Sequence, residues 1–335
     1  VVTVRDVARA AGVSISTVSR ALTAPDKVAA STRERVATVA AELGYLPNRA
    51  ASGLRAGRTG TFGLLVPDLS NPYFAAVTKG VAERAREHGL GVFVVDSEED
   101  PEIEAELLRG LAHQTDGVVL CSPRDVTGDR EVVGAKPVVV VNHRIDGTVS
   151  VGSDNTAGIE LAVEHLHALG HRRIAYVGGP TTSWSDEQRR AALAEAGRHR
   201  PDLEILTFGP HRPVVEGGTA AAGVVVASGA TAAITFNDVV AVGLVRRVQD
   251  LGVRVPHDLS VVSFDDTFLA HLVTPSLTSV HTDLRGVGRQ ATDLLVRRLA
   301  GAGGADGEPA TDTLLPARLV VRESTAPAAS LLPPG

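Results

Sequence analysis

Val13-Ser14-Ile15-Ser16-Thr17-Val18-Ser19-Arg20-Ala21-Leu22 is the stretch that decides how this chain is read. On a helix advancing about 100° per residue, Val18, Ala21 and Leu22 share one side, while Ser16 and Arg20 project from the other, flanked by Ile15 and Ser19. Upstream, Val4, Val7, Ala8 and Ala11 recur at helical spacing, and Gly12 sits where a tight turn between two helices needs a positive φ. A helix, a short turn and a second helix form a device that lays the second helix in the major groove of DNA. There an arginine at the position of Arg20 can fork onto the O6 and N7 of a guanine.

The 335 residues carry a formal charge of −6, which as a bulk figure argues against a nucleic-acid partner. The distribution reverses this. Through Arg58 the chain has nine basic and four acidic residues, a net of +5, so the remainder holds −11. A small basic head on a large acidic body supplies the salt-dependent phosphate attraction on which DNA binding rests. With 44% hydrophobic and 21% charged residues, the composition excludes a disordered chain, and the length implies two or three folded units. The single cysteine, Cys121, excludes a disulfide framework, and no Cys and His cluster has metal-ligand spacing. No apolar run is long enough for a bilayer, and the N-terminus opens on an amphipathic helix pattern instead of a signal peptide, so a soluble cytoplasmic protein is expected.

Along the chain, Thr3 with Asp6 reads as a capping pair for the first helix and Ser31 with Glu34 as one for a third. Val36, Val39, Ala40 and Leu43 give the third helix an apolar stripe and close a three-helix core ending at Gly44. From Tyr45 to Gly57 follows a short helix that Asn48 can cap and Gly57 can end. At about ten residues, with Gly53 inside, it should fold only against a partner. After Gly60, apolar runs alternate with helical stretches such as Phe74–Glu87, Asn155–Leu169 and Val239–Leu251. The runs include Phe62–Val66, Gly91–Val95, Gly117–Leu120, Val138–Val141, Ile174–Val177, Ala232–Phe236 and Val261–Phe264. This alternation predicts doubly wound parallel sheets, and roughly 260 residues suffice for two side by side. A Gly/Ala-rich loop from Ala302 to Asp312 precedes a last strand, Thr313–Leu315, and the proline-bearing tail after Glu323 is expected to be disordered.

In open parallel sheets, ligands bind beyond the carboxyl ends of the strands. Those ends are followed here by Asp68, Asn71, Tyr73 and Phe74, by Asn142 and Arg144, by Trp184, Asp186 and Arg189, by Asn237-Asp238 and by Asp265-Asp266. Amides, a carboxylate, a guanidinium and aromatic rings are the groups that hold a polyhydroxylated ring: forked groups take vicinal hydroxyls and aromatic faces cover the C–H side. A sugar-like effector is therefore expected.

The chain resembles bacterial transcriptional regulators of the lac repressor/galactose repressor family (LacI/GalR) over nearly its whole length. Val2–Ala21 is similar to the family's N-terminal signature and Tyr45–Leu54 to its hinge. Asp68–Phe74, Asp154-Asn155, His165–Ile174 and Val261–Asp266 are similar to core landmarks. The resemblance implies a helix-turn-helix head over 1–46, a hinge over 47–59 and a core over 60–325, with residues 326–335 as a tail. The core would hold two periplasmic-binding-protein-like subdomains, about 60–153 with 283–312 and about 154–282 with 313–325. It also implies a homodimer on a pseudo-palindromic operator, since each protomer offers one recognition helix. Carried over by position, Ile15, Ser16 and Arg20 would read bases, and Thr17 and Ser19 would contact the backbone or nearby edges. Asn48 would cap the hinge helix at the DNA, and Leu54 would wedge into the minor groove. Arg189 and Asp265 match the main hydroxyl-binding pair, supported by Phe74, Asn142 and Asn237, with Trp184 on a loop at the pocket mouth. Two departures stand out: Gly53 weakens the hinge helix, and no leucine heptad follows Arg322, which favours a dimer over a tetramer.

Blander readings exist for several of these residues. Asp265-Asp266 could be a catalytic carboxylate pair, but neighbours on a strand end diverge and no nucleophile or base motif accompanies them, so no enzyme and no cofactor is expected. Arg189 could simply pair with Asp186 or Glu187, and Tyr73 and Trp184 could be packing residues. His165, His167 and His171 have poor metal spacing and read as solvated or locally bonded. The rival functions are a regulator whose purine or other co-repressor tightens DNA binding, a transport-type sugar-binding protein, and an enzyme acting on a sugar phosphate.

Overall fold

The computed structural model describes residues 2–23, 25–45, 58–125, 136–301 and 312–328. It divides into two compact units, Val1–Gly60 and Thr61–Gly335. Asn48 and Leu54 lie outside the described residues.

The first unit contains α1 (Val4–Ala11), α2 (Ile15–Thr23) and α3 (Ala30–Glu42). Val7, Ala8, Ala11, Val18, Ala21, Val36 and Ala40 form its core, with Val4, Leu22 and Val39 packed on the margin. Such small side chains bring three short helices close enough to bury one another, which none could do alone. Asp6 caps α1, taking hydrogen bonds from Thr3 N at 2.9 Å and Thr3 Oγ1 at 2.7 Å. Gly12 ends α1 at φ 63°, and Val13 N donates to Ala8 O across the turn. The cap expected from Ser31 and Glu34 does not form, because α3 starts at Ala30 and puts both residues inside the helix.

The second unit holds two sheets. In chain order its elements are β1 (Thr61–Val66), α4 (Pro72–Glu87), β2 (Gly91–Asp96), α5 (Pro101–Gln114), β3 (Val118–Cys121), β4 (Val138–Val141), β5 (Val149–Ser153), α6 (Asn155–Ala168), β6 (Arg173–Val177) and α7 (Trp184–His199). There follow β7 (Glu204–Phe208), α8 (Val215–Ala227), β8 (Ala232–Thr235), α9 (Asp238–Asp250), β9 (Ser260–Asp265), α10 (Leu269–Leu272), β10 (Thr278–His281), α11 (Leu284–Leu299), β11 (Asp312–Leu315) and β12 (Arg318–Val320). The first sheet runs β11-β5-β4-β3-β1-β2, with every pair parallel. The second runs β12-β10-β9-β8-β6-β7, parallel except where β12 pairs antiparallel with β10 at the edge. Both faces of each sheet are covered, as continuous apolar strands require. In β1, Phe62, Leu64 and Val66 pack on one face with Val77, Val81 and Val287, while Leu65 turns to Leu108 and Leu120 on the other. In β6, Ala175 and Val177 face α8 and α9, whereas Ile174 and Tyr176 face α6 and α7.

Three crossings join the lobes: at Asp154, at Thr282-Asp283 and at Pro316-Ala317. The third corrects the expected boundary after residue 312, since Asp312–Leu315 pairs with β5 and belongs to the first lobe. The tail expected to be disordered is packed through Ala328. Ser324 Oγ donates to Val261 O at 2.5 Å, Ala326 O meets His171 Nε2 at 3.0 Å, and Ala328 N donates to Leu169 O at 2.8 Å. Hydrogen bonds to backbone carbonyls, which composition does not report, hold it there.

Candidate functional site

In the head, Ile15 is 40% exposed, and Ser16 and Arg20 are exposed on the side of α2 away from the Val18 and Ala21 core. Thr17 and Ser19 are half-buried. Thr17 is partly committed to the helix start: Ser14 Oγ accepts from Thr17 N at 3.1 Å and lies 2.8 Å from Thr17 Oγ1. The fold thus presents Ile15, Ser16 and Arg20 together, and gives Thr17 a role in capping that its position alone did not reveal.

In the core, the carboxyl ends of the strands converge on a cleft with a free volume of about 410 Å³, lined from both lobes. Phe74, Asn142, Arg189, Asn237 and Asp265 all line it, as expected from sequence. Arg189, on α7, is 6% exposed; its Nε donates to Asn155 Oδ1 at 2.8 Å and its Nη1 donates to the Phe236 carbonyl. The guanidinium lies 3.8 Å from the centre of the Phe264 ring and 5.2 Å from that of Phe236. It is therefore fixed as a cation between aromatic faces. It does not pair with Asp186, whose carboxylate serves Tyr176, Gly179 and Arg190.

Asp265 ends β9 in left-handed backbone, φ 97°, a conformation that costs energy in a non-glycine residue and aims the side chain off the strand. Its carboxylate accepts no hydrogen bond from a described residue. Burial pushes its pKa up to about 7, against the pull of Arg189 and with the help of nearby Asp238. Asp266 diverges to Arg322 and to His281 Nδ1, 3.0 Å away, so the two carboxylates do not act as a pair. Asp238 is wholly buried and accepts from Ser263 Oγ, Ser279 Oγ, Thr267 N and Thr267 Oγ1. That network anchors the start of α9 beneath the cleft.

Asn237 caps α9 through Oδ1, which accepts from Val240 N at 2.9 Å. Asn142, at φ 52°, donates from Nδ2 to the Tyr73 hydroxyl, and Tyr73 meets Phe74 edge-to-face at 5.0 Å. Tyr73 is thus both packed and part of the cleft wall, its hydroxyl held well above the usual range by burial. Trp184 is placed differently from the expectation. It opens α7 instead of sitting on a loop, and its neighbours Ser183 and Ser185 line the cleft in its stead. The indole packs against His143, 6.2 Å between ring centres, and under the Arg144 guanidinium at 5.6 Å, joining α7 to the loop after β4. Sequence reading missed Glu99 and Arg124, which also line the cleft as a buried pair. They are 25 residues apart, at the ends of two strands separated in the sheet by β1, and no local spacing signals that meeting. His165, His167 and His171 bond separately, to Thr325, Asp202 and Thr231 respectively.

A helix-turn-helix head followed by a two-lobed α/β core with a polar cleft defines the class of ligand-responsive DNA-binding regulators of transcription. Comparison with known proteins gives the family. Residues 3–48 match the bacterial regulatory proteins of the lacI family, and residues 163–325 match the periplasmic binding protein-like domain. The transcriptional regulator DegA of Bacillus subtilis is 32% identical, over 97% of this chain and 98% of its own length. The ribose operon repressor of Halalkalibacterium halodurans is 31% identical, over 96% and 97%. The crystal structure of the lac repressor dimer bound to operator and the anti-inducer ONPF superposes with a TM-score of 0.84 at 30% identity, covering 97% of this chain and 99% of that one. The chain belongs to the lacI family of bacterial transcriptional regulators. Among the described residues no helix is long and apolar enough to cross a membrane.

Proposed function

We propose that the protein is a homodimeric repressor of carbohydrate-use genes, released from a pseudo-palindromic operator when a small sugar-like effector binds between the lobes. The observation that carries this reading is the Arg189 guanidinium, clamped on Phe264, beside an Asp265 carboxylate that no described residue satisfies. A half-buried carboxylate without a donor keeps its accepting capacity for a ligand, and vicinal hydroxyls can fill it. Asn142 and Asn237 would orient the ring and Phe74 would cover its apolar edge. The ribose-related name of one relative and the operator-bound dimer among the similar structures support the same reading. In the head, Ile15, Ser16 and Arg20 would read base edges, Thr17 and Ser19 would hold the backbone, and Asn48 with Leu54 would engage the operator centre.

Effector binding changes the angle between the lobes, and with it the spacing of the paired hinges. A differential affinity of a few kcal/mol suffices for such a switch. The test uses Trp184, the only tryptophan. Its fluorescence is followed while a panel of sugars, sugar phosphates and purines is titrated. A saturable change with a sugar, lost in Arg189→Ala while DNA binding persists, is the expected result. Loss of both activities together, or a response to purines alone, contradicts the proposal.

A further inference from the structure

Four charged side chains line the cleft among the described residues: Glu99 and Arg124 on the first lobe, Arg189 and Asp265 on the second. Each wall holds one cation and one anion, but they are arranged differently. On the first, Arg124 Nε donates to Glu99 Oε2 at 2.6 Å and Arg124 Nη2 to Glu99 Oε1 at 2.9 Å, a fork on both carboxylate oxygens. Their side chains are 5% and 14% exposed, so solvent screens the pair little. Both ends are held in place: Glu99 N donates to Pro67 O, and Arg124 N donates to Glu104 Oε1 at 2.7 Å. On the second wall, the Arg189 guanidinium is engaged by Asn155 and the Phe236 carbonyl, and Asp265 remains an acceptor.

Among the described residues, a phosphate or carboxylate entering this cleft finds Arg124 already neutralised by Glu99, and Arg189, whose own hydrogen bonds go to neutral oxygens, beside the Asp265 carboxylate. It would have to strip Arg124 from Glu99, leaving a buried carboxylate without its partner, or lie against Asp265. A neutral polyol meets neither obstacle, since its hydroxyls donate to Asp265 and accept from the amides. We propose that the effector is an uncharged polyhydroxylated molecule, and that Glu99, by occupying Arg124, is the residue that excludes phosphorylated and acidic forms of it. The proposal rests on the sugar-sensing reading above and narrows it.

The probes are matched pairs: ribose and ribose 5-phosphate, glucose and glucose 6-phosphate, glucose and gluconate, galactose and galacturonate, with adenine and guanine added. Binding to the full chain is measured by calorimetry. For at least one pair the neutral member should bind the wild type more tightly than its anion by about tenfold or more. Glu99→Gln, which keeps the shape and frees the cation, should improve the anion's affinity and narrow that gap to within about threefold. Arg124→Gln is the second variant, and it should widen the gap. If, in every pair that binds, the anion binds the wild type as well as its neutral partner, the proposal is overturned and the sugar reading stands. The same holds for a gap that Glu99→Gln, still folded and still binding the neutral sugar, leaves unchanged. Binding of a purine alone, or of no member of any pair, overturns the sugar reading itself.

Discussion

At the scale of single residues, Asp265 concentrates the conflict between stability and function. Its pKa in the folded chain, about 7, stands above the 3.8 of an ordinary aspartate. The folded state therefore binds the proton more tightly than the unfolded one. The stabilisation this brings is full at pH below about 4 and is lost as the pH rises through about 7. Asp265→Asn, which cannot ionise, should melt at a higher temperature than the wild type near pH 8, with the gain shrinking toward pH 4. The same change should weaken effector binding by about tenfold to a hundredfold, the loss of charge-assisted hydrogen bonds. In the wild type, effector affinity should fall as the pH drops from about 8 to 6, because the protonated acid accepts more weakly. An Asp265→Asn chain no more stable at pH 8 and equally tight for effector would contradict this role. The residue types at the cleft were legible in sequence because strand ends in a parallel sheet share one side. The partners were not. Nothing local says that Arg189 stacks on Phe264 and bonds Asn155, since these contacts depend on which strand ends meet.

At the scale of elements, the long Val, Ile and Leu runs announced β1 to β4, β6, β8 and β9. The strands the runs did not reveal are β5, β7, β10 and β12. Val-Ser-Val-Gly-Ser and Thr-Ser-Val-His carry too little apolar signal. Ser150, Thr278 and Ser279 are buried all the same because they are bonded: Ser150 Oγ donates to Asp312 Oδ1 at 2.5 Å, Thr278 N to Ser324 Oγ at 2.8 Å and Ser279 Oγ to Asp238 Oδ1 at 2.9 Å. Helix contacts obey a different rule. On α8 and α9, Gly218 and Gly243 let the backbones touch: a Cβ on Gly243 would lie 1.9 Å from Val215 O, and one on Gly218 1.9 Å from Val240 O. The atoms in the way are backbone and cannot rotate aside. Gly243→Ala should therefore destabilise the core by about 1–3 kcal/mol, outweighing the gain in helix propensity. A lowered denaturant midpoint at unchanged slope would register it, and a midpoint at or above that of the wild type would refute the close contact.

At the scale of the whole molecule, the charge asymmetry and the three lobe crossings carry the function. The +5 head would supply sequence-independent affinity for DNA, and the proposed base-reading side chains of α2 would turn it into selection. The crossings at Asp154, Thr282-Asp283 and Pro316-Ala317 are the places where the lobes can change their mutual angle. Two of them flank a small cavity lined by Asp154, Asn155, Thr282, Arg189 and Asp265, so the two residues proposed to hold the effector are also next to the joints. Sequence marked the head, the core and the strand-end residues that line the cleft, whereas the exact crossing at Pro316-Ala317 needed the pairing of β11 with β5, because four residues of mixed polarity fit either sheet. Coupling between the cleft and the operator can be read in one titration. A palindromic duplex selected from random DNA by the purified chain is labelled and bound, and its anisotropy is followed as the tightest sugar of the panel is added. Release is expected at sugar concentrations that saturate the wild type, and no release from Asp265→Asn at the same concentrations. Anisotropy that stays high or rises on saturation of the wild type would contradict that coupling.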